Sequence, residues 1–272
     1  MSMVLQHKLR KALNTGLLVV MSIASQAALS LSLEEQGFEI AAHSDRSDRG
    51  FSDSRVELKM ILRNAAGKEA TRKLTITTLE IPDESVGDKS LIIFHTPPDI
   101  DGTALLSHAQ ILEPDAQWLY LPSLKRTKRI SSVNKSGPFV GSEFAFEDLT
   151  ALELNKYDYK YLRSEPCGAL QCDIVERYPL YQHSGYSKQI IWVDQDVYQI
   201  RKTEFYDRRG DLLKTLEMNE YRVYTDKFWR PHHFSMVNHQ TGKSTELLYS
   251  DYNFGNDLNN RDFIKNVLKR TR

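Results

Sequence analysis

Two stretches, Arg55–Arg63 (RVELKMILR) and Thr71–Ile81 (TRKLTITTLEI), are joined by Asn64-Ala65-Ala66-Gly67-Lys68. In the first, Val56, Leu58, Met60 and Leu62 alternate with residues expected to be charged or exposed; in the second, Leu74, Ile76 and Thr78 do the same. A period of two with a Gly-containing turn between the runs predicts an antiparallel hairpin with one wet face.

The same period continues in both directions from this hairpin. Ser90–His95, Ala104–Leu112 and Gln117–Leu121 follow as strands. After a Gly-rich break at Ser136–Gly141, further strands are expected at Tyr157–Arg163, Cys172–Arg177, Tyr186–Val193, Gln199–Tyr206, Leu212–Val223, His233–Asn238 and Thr245–Tyr252. Turn chemistry such as Asp207-Arg208-Arg209-Gly210-Asp211 separates them. Helices are expected over Leu31–Ser44, over Glu143 to about Leu154 with Ser142 as cap, and from Asn260, where Phe263, Ile264, Val267 and Leu268 share a face. A dozen hairpin-linked strands with few helices predict a mainly β, antiparallel sheet curled toward a barrel, and no linker divides it.

The 272 residues carry 36 Lys+Arg against 36 Asp+Glu, a balance that argues against a dedicated nucleic-acid binder. Hydrophobic residues at 40% and charged residues at 26% exclude a helical integral membrane protein and a disordered chain. Lys8, Arg10 and Lys11 precede the short apolar run Leu17–Ala24, and Ser25-Gln26-Ala27 supplies small residues at a cleavage site. This is the three-part pattern of a secretory signal peptide over residues 1–27, and the run is far short of the roughly 20 residues needed to span a membrane. Cleavage after Ala27 leaves 33 basic and 36 acidic residues in a single domain, 28–272, with the bacterial periplasm as the expected compartment. Cys167 and Cys172 fit an oxidising space, where they would close a small loop. A structural disulfide is expected rather than a redox pair, which favours Cys-x-x-Cys in a βαβ setting.

Asp99-Ile100-Asp101-Gly102-Thr103 matches the D-x-D-G-T string of haloacid-dehalogenase-type phosphatases. That chemistry needs the first Asp at the end of a parallel strand, whereas Thr96-Pro97-Pro98 intervenes here and no α/β alternation follows; a Pro-directed turn is expected. His232 and His233 are adjacent and would point to opposite faces of a strand, so no metal site is expected. There is no nucleophile elbow, P-loop or dinucleotide fingerprint, and neither a cofactor nor catalysis is expected.

In the block Trp118-Leu119-Tyr120-Leu121-Pro122-Ser123-Leu124-Lys125-Arg126-Thr127-Lys128-Arg129-Ile130, an apolar strand runs into four basic residues, with Phe144 and Phe146 further on. It is open to two readings: a core strand with a solvated charged loop, or an apolar cavity with a cationic rim. On the second, Trp118, Tyr120, Phe144 and Phe146 are candidates for the cavity, and Lys125, Arg126, Lys128 and Arg129 for a face toward anionic headgroups or a partner.

The run from DIDGTALL through QWLYLPSLKRTKRISSVNKSGPFVGSEFAFEDL resembles the exported outer membrane lipoprotein-sorting protein family, relatives of the LolA and LolB carriers. Ile191-Trp192-Val193-Asp194, Arg201-Lys202-Thr203-Glu204-Phe205-Tyr206-Asp207 and Trp229-Arg230-Pro231 extend the resemblance over most of the chain. It implies an incompletely closed antiparallel β-barrel, short helices at its mouth and an apolar interior. It also implies carriage of a lipid or an acylated lipoprotein in the periplasm, in places beside RND/MMPL-type transporters. The rival expectations are a transporter accessory subunit without cargo and a secreted hydrolase.

Overall fold

In the computed structural model, residues 31–83, 86–111, 113–151 and 153–270 are described. The signal peptide expected over residues 1–27 lies outside them. An opening helix, α1 (Leu33–Asp48), begins at a reciprocal cap: Ser32 Oγ accepts from the Glu35 backbone N–H at 3.1 Å, and Glu35 Oε2 accepts from the Ser32 N–H at 2.8 Å.

Six strands follow: β1 (Asp53–Arg63), β2 (Glu69–Leu79), β3 (Val86–Thr96), β4 (Ala104–Gln110), β5 (Ala116–Leu121) and β6 (Arg126–Ile130). A second run comprises β7 (Tyr157–Cys167), β8 (Leu170–Pro179), β9 (Tyr186–Asp194), β10 (Ile200–Asp207) and β11 (Leu212–Asn219). It ends with β12 (Arg222–Tyr224), β13 (Phe228–Arg230), β14 (His233–Asn238), β15 (Ser244–Tyr249) and β16 (Asn253–Phe254). All pairings are antiparallel, in the order β6-β5-β4-β3-β2-β1-β15-β14-β11-β10-β9-β8-β7. The β12–β13 ribbon stands apart, and β16 extends the pairing of β1. The two meanders therefore join in the middle, through β1 and β15, and the sheet ends on β6 and β7 without closing.

Period-two alternation assigns each strand an inner and an outer face. Leu58, Leu74, Ile92, Phe94 and Leu105 turn inward onto one core with Met236 and Leu247. The outer face of β3–β5 carries Leu91, Leu106, Trp118 and Tyr120 beneath the C-terminal segment, which inserts Phe263 and Leu268. That segment forms two 3₁₀ turns, Asn260–Phe263 and Lys265–Arg270, and Ile264 is exposed.

Two expectations fail locally. The basic run, a solvated loop on one of the two readings above, forms the edge strand β6, pairing Trp118 with Arg129 and Leu119 with Lys128. Its Lys and Arg side chains guard an edge that would otherwise template association. The helix expected from Glu143 is also absent. Residues 136–149 fold as a tight loop in which the Phe139 N–H donates to Phe144 O at 2.7 Å and the Phe146 N–H to Gly137 O at 3.1 Å. The reason is that Phe139, Phe144 and Phe146 all turn into the same core, which a single helical face cannot arrange.

The D-x-D-G-T string is a turn: the Ile100 N–H donates to Pro97 O and the Thr103 N–H to Ile100 O, with Gly102 at φ 75°. Cys167 and Cys172 are disulfide-bonded at the tip of the β7–β8 hairpin.

Candidate functional site

The inner face is not filled uniformly. Over β1–β5 the loop at residues 136–149 acts as a plug: Phe139 is fully buried, its ring centroid 5.6 Å from those of both Phe94 and Phe146. Arg72 secures it by donating to Val140 O, and Gln117 Nε2 donates to Phe146 O at 2.8 Å. Beside it two adjoining cavities of about 210 and 450 Å³ remain. The narrower lies over β7–β11, β14 and β15 and is edged by Phe144, Asp148 and Leu149 of the same loop; the wider reaches from there across to Val56, Ile76, Thr78 and Asp88 of β1–β3. They share Ala151, Arg177, Ile200, Met218, Phe234 and Tyr249 as lining. Concave, mainly apolar spaces with a few converging polar groups are where proteins bind small ligands.

Helix α1 forms part of the wall. Ala41 packs with Tyr157, Tyr159, Val175 and Ile191. Close approach requires Gly37, where a Cβ would lie 2.7 Å from Tyr161 N and 2.8 Å from Lys160 C. The wider cavity is bordered by Asp88 and Glu153, whose carboxyls burial pushes up, Asp88 to about 7.

Charge in the narrower cavity is largely matched. Lys214 Nζ lies 2.7 Å from Asp148 Oδ2, and Tyr186 Oη donates to Asp148 Oδ1 at 2.7 Å. Glu147 accepts from the Gly185 N–H, Ser184 Oγ and Tyr181 Oη at 2.8, 2.9 and 3.1 Å; burial, with Asp148 adjacent, raises its pKa. Each acid is held by specific donors, and among the described residues no group of three or more His, Cys, Asp or Glu is placed to hold a metal ion.

Arg177 differs. It is only 6% exposed, its guanidinium lies 4.9 Å from the Tyr157 ring centroid, and its Nε donates to Gln189 Oε1 at 2.7 Å. Its Nη1 is buried without a hydrogen-bond partner. The sequence reading missed it because ERYP looks like the end of an ordinary strand. The available signal was parity: Arg177 shares its face with Val175, while Ile174 and Glu176 take the other.

The residues expected at the cavity divide. Phe144 lines the narrower cavity, and Phe146 is buried in the plug. Trp118 and Tyr120 do not reach either space, because their strand positions place them on the outer face. There Lys265 Nζ sits 4.5 Å over the Trp118 ring and the His108 ring packs edge-on at 5.1 Å. Leu119, of opposite parity, packs against the inner core instead. Lys125, Arg126, Lys128 and Arg129 are exposed, on β6 and the turn before it.

Comparison with known proteins accords with this architecture. A family model described only as an uncharacterized protein matches residues 87–270. No curated protein matches the chain. A domain described as an outer membrane lipoprotein-sorting protein from Vibrio parahaemolyticus is 50% identical, with 87% of this chain and 100% of that one covered and a TM-score of 0.85. A DUF1329 family protein from Desulfovibrio piger is 26% identical over 88% of this chain and 100% of that one, with a TM-score of 0.83. The fold extends to a LolA superfamily protein from Nitrosomonas europaea at 20% identity, with 88% and 100% covered and a TM-score of 0.69. The chain belongs to the outer membrane lipoprotein-sorting protein family and has its unclosed, LolA-like β fold.

Proposed function

We propose that the protein is a periplasmic carrier that shields the acyl chains of a lipid or lipoprotein inside its half-open sheet, by burial alone and without a cofactor. The observation that carries this reading is the unfilled part of the interior, where Ile200, Met218, Phe234 and Tyr249 border open space while the part under the 136–149 loop is packed. Each methylene taken from water there contributes roughly 0.8 kcal/mol, so one chain supplies enough free energy for reversible binding. A carrier role is also what the fold of the lipoprotein-sorting relative supports. The N-terminal signal-peptide pattern supports export. The exposed basic residues of β6 suit contact with an anionic membrane surface or an RND/MMPL-type transporter, and such contact weakens as salt rises.

The test is organic extraction of natively purified protein followed by mass spectrometry, together with titration by a fluorescent fatty-acyl probe. A co-purifying acyl compound and saturable probe binding are expected, and Met218→Trp, which narrows the junction of the two cavities from their shared wall, should weaken the binding. A folded wild-type protein that yields no acyl compound and binds no probe overturns the carrier reading. It would leave a docking subunit that presents the β6 edge.

A further inference from the structure

A guanidinium buried among apolar and aromatic side chains is stable only when something answers its charge, and buried charges are ordinarily paired. Arg177 is 6% exposed, and among the described residues no carboxylate lies within 4.0 Å of its nitrogens. The nearby acids are already engaged: Asp148 by Lys214, Asp115 by Lys156 and Lys135, and Glu147 by three donors. What Arg177 does have is orientation. Gln189, paired with it across β8 and β9, fixes Nε, and the Tyr157 ring supports one face of the plane. Nη1 is left buried with a hydrogen and no acceptor. The side chain belongs to the walls of both cavities, so it stands where they meet, beside Ile200, Met218 and Phe234.

We propose that Arg177 is the head-group site of the carrier: it receives the anionic oxygens of an amphiphile whose hydrocarbon chain lies along the adjoining apolar wall. This rests on the carrier reading and narrows it, because an acyl chain linked only through esters and amides presents no anion to Arg177. The shared chemistry is a head with two or more negatively charged oxygens, which matches a planar cationic donor. A fatty carboxylate and a lipid phosphate both supply it.

Binding to delipidated protein is measured by displacement of the fluorescent probe with three single-chain ligands of equal length: dodecanoate, dodecyl phosphate and dodecanol. Wild-type protein should bind at least one anion about tenfold or more tightly than the alcohol, the range set by one charge-assisted hydrogen bond. The tighter of the two anions identifies the head, carboxylate or phosphate. Arg177→Met should bring the anions down to the alcohol's affinity while leaving the alcohol unchanged, and Arg177→Lys should keep part of the preference. A wild-type protein without an anion preference overturns the proposal whatever the variants do, and Arg177→Lys, which keeps the charge, serves as the second variant should Arg177→Met misfold. If wild-type protein binds all three ligands equally, or Arg177→Met folds and retains the anion preference, this proposal is overturned while the carrier reading stands. If none of the three displaces the probe and the probe itself does not bind, both fall.

Discussion

Strands β1–β6 and strands β7–β11 with β14–β15 curve around one interior, yet they meet different partners there. The first set faces phenylalanines delivered by a loop of its own chain, tied down by Arg72 and Gln117. The second faces helix α1 along β7–β9, the edge of the same loop, and open space lined by tyrosines and by an arginine with no carboxylate partner among the described residues. A sheet with a uniform alternating pattern thus acquires a packed region under the loop and a hollow region that lies mostly over the second set and extends to Val56 and Ile76 of the first. Stability should reside in the first and ligand specificity in the second.

The sharpest way to break this division is to remove the plug. Phe139→Ala should lower unfolding free energy by about 3–5 kcal/mol, the cost of truncating a fully buried aromatic ring. Denaturant titration checks it; a loss under about 1 kcal/mol would mean that the plug is not what holds the first half together.

Replacing both Cys167 and Cys172 by Ser is the next largest change, and it falls in the second set of strands. A loop this short implies a loss of about 2 kcal/mol by chain entropy. Because the bridge sits at a hairpin tip and borders neither cavity, probe affinity should not move. Lost binding with an unchanged melting curve would give the cysteines a role other than bracing.

Asp88 tests the rim of the wider cavity through pH. Burial and the neighbouring Glu153 raise its carboxyl to about 7. A raised acid favours the folded state when protonated, so its stabilising contribution is present below about pH 4 and is lost as pH climbs through 7. Asp88→Asn still presents an oxygen to the Ile81 N–H, which Asp88 Oδ1 accepts at 2.8 Å, and it carries no charge. The variant should melt higher than wild type at pH 8, with the gap closing toward pH 5; a gap that is constant with pH would refute the assignment.

The smallest effect on stability is expected at the basic edge. Neutralising Lys125, Arg126, Lys128 and Arg129 together should leave stability within about 0.5 kcal/mol per substituted site, since all four are exposed. Sedimentation with anionic vesicles at low salt should nevertheless drop, and normal sedimentation would remove the edge from the functional account.

Much of the architecture was legible because period-two alternation survives in nearly every strand, from Val56-Leu58-Met60 to the β14 run His233–Asn238. Alternation separates two faces but does not say which is inside. Trp118 and Tyr120 share a face whether that face lines a cavity or an outer core. Only the C-terminal insertion of Phe263 and Leu268, far along the chain, decides it. The β6 strand escaped notice because its partners are chosen by backbone pairing with β5, and its side chains show no apolar signal. The plug was misread because three phenylalanines at irregular spacing converge only through a bridge between Pro138 and Ala145. Parity could place Arg177 on the face of Val175, but its open hydrogen-bonding position is a property of the folded surroundings.

The free ends of the sheet have a mechanical corollary. A sealed barrel has its radius fixed by strand number and stagger. Here β6 and β7 are not bonded to each other, so no such condition binds the interior, and the gap between them follows the twist of the strands between. Register irregularities occur on both sides of the interior, at Lys73/Leu74 and Val86/Lys89 in the first set and at Tyr161/Arg163, Ile200/Lys202 and Tyr206/Asp207 in the second, so both sets can bend locally. On the carrier reading proposed above, capacity would then be a matter of curvature, and a longer guest would be accommodated by unrolling the sheet.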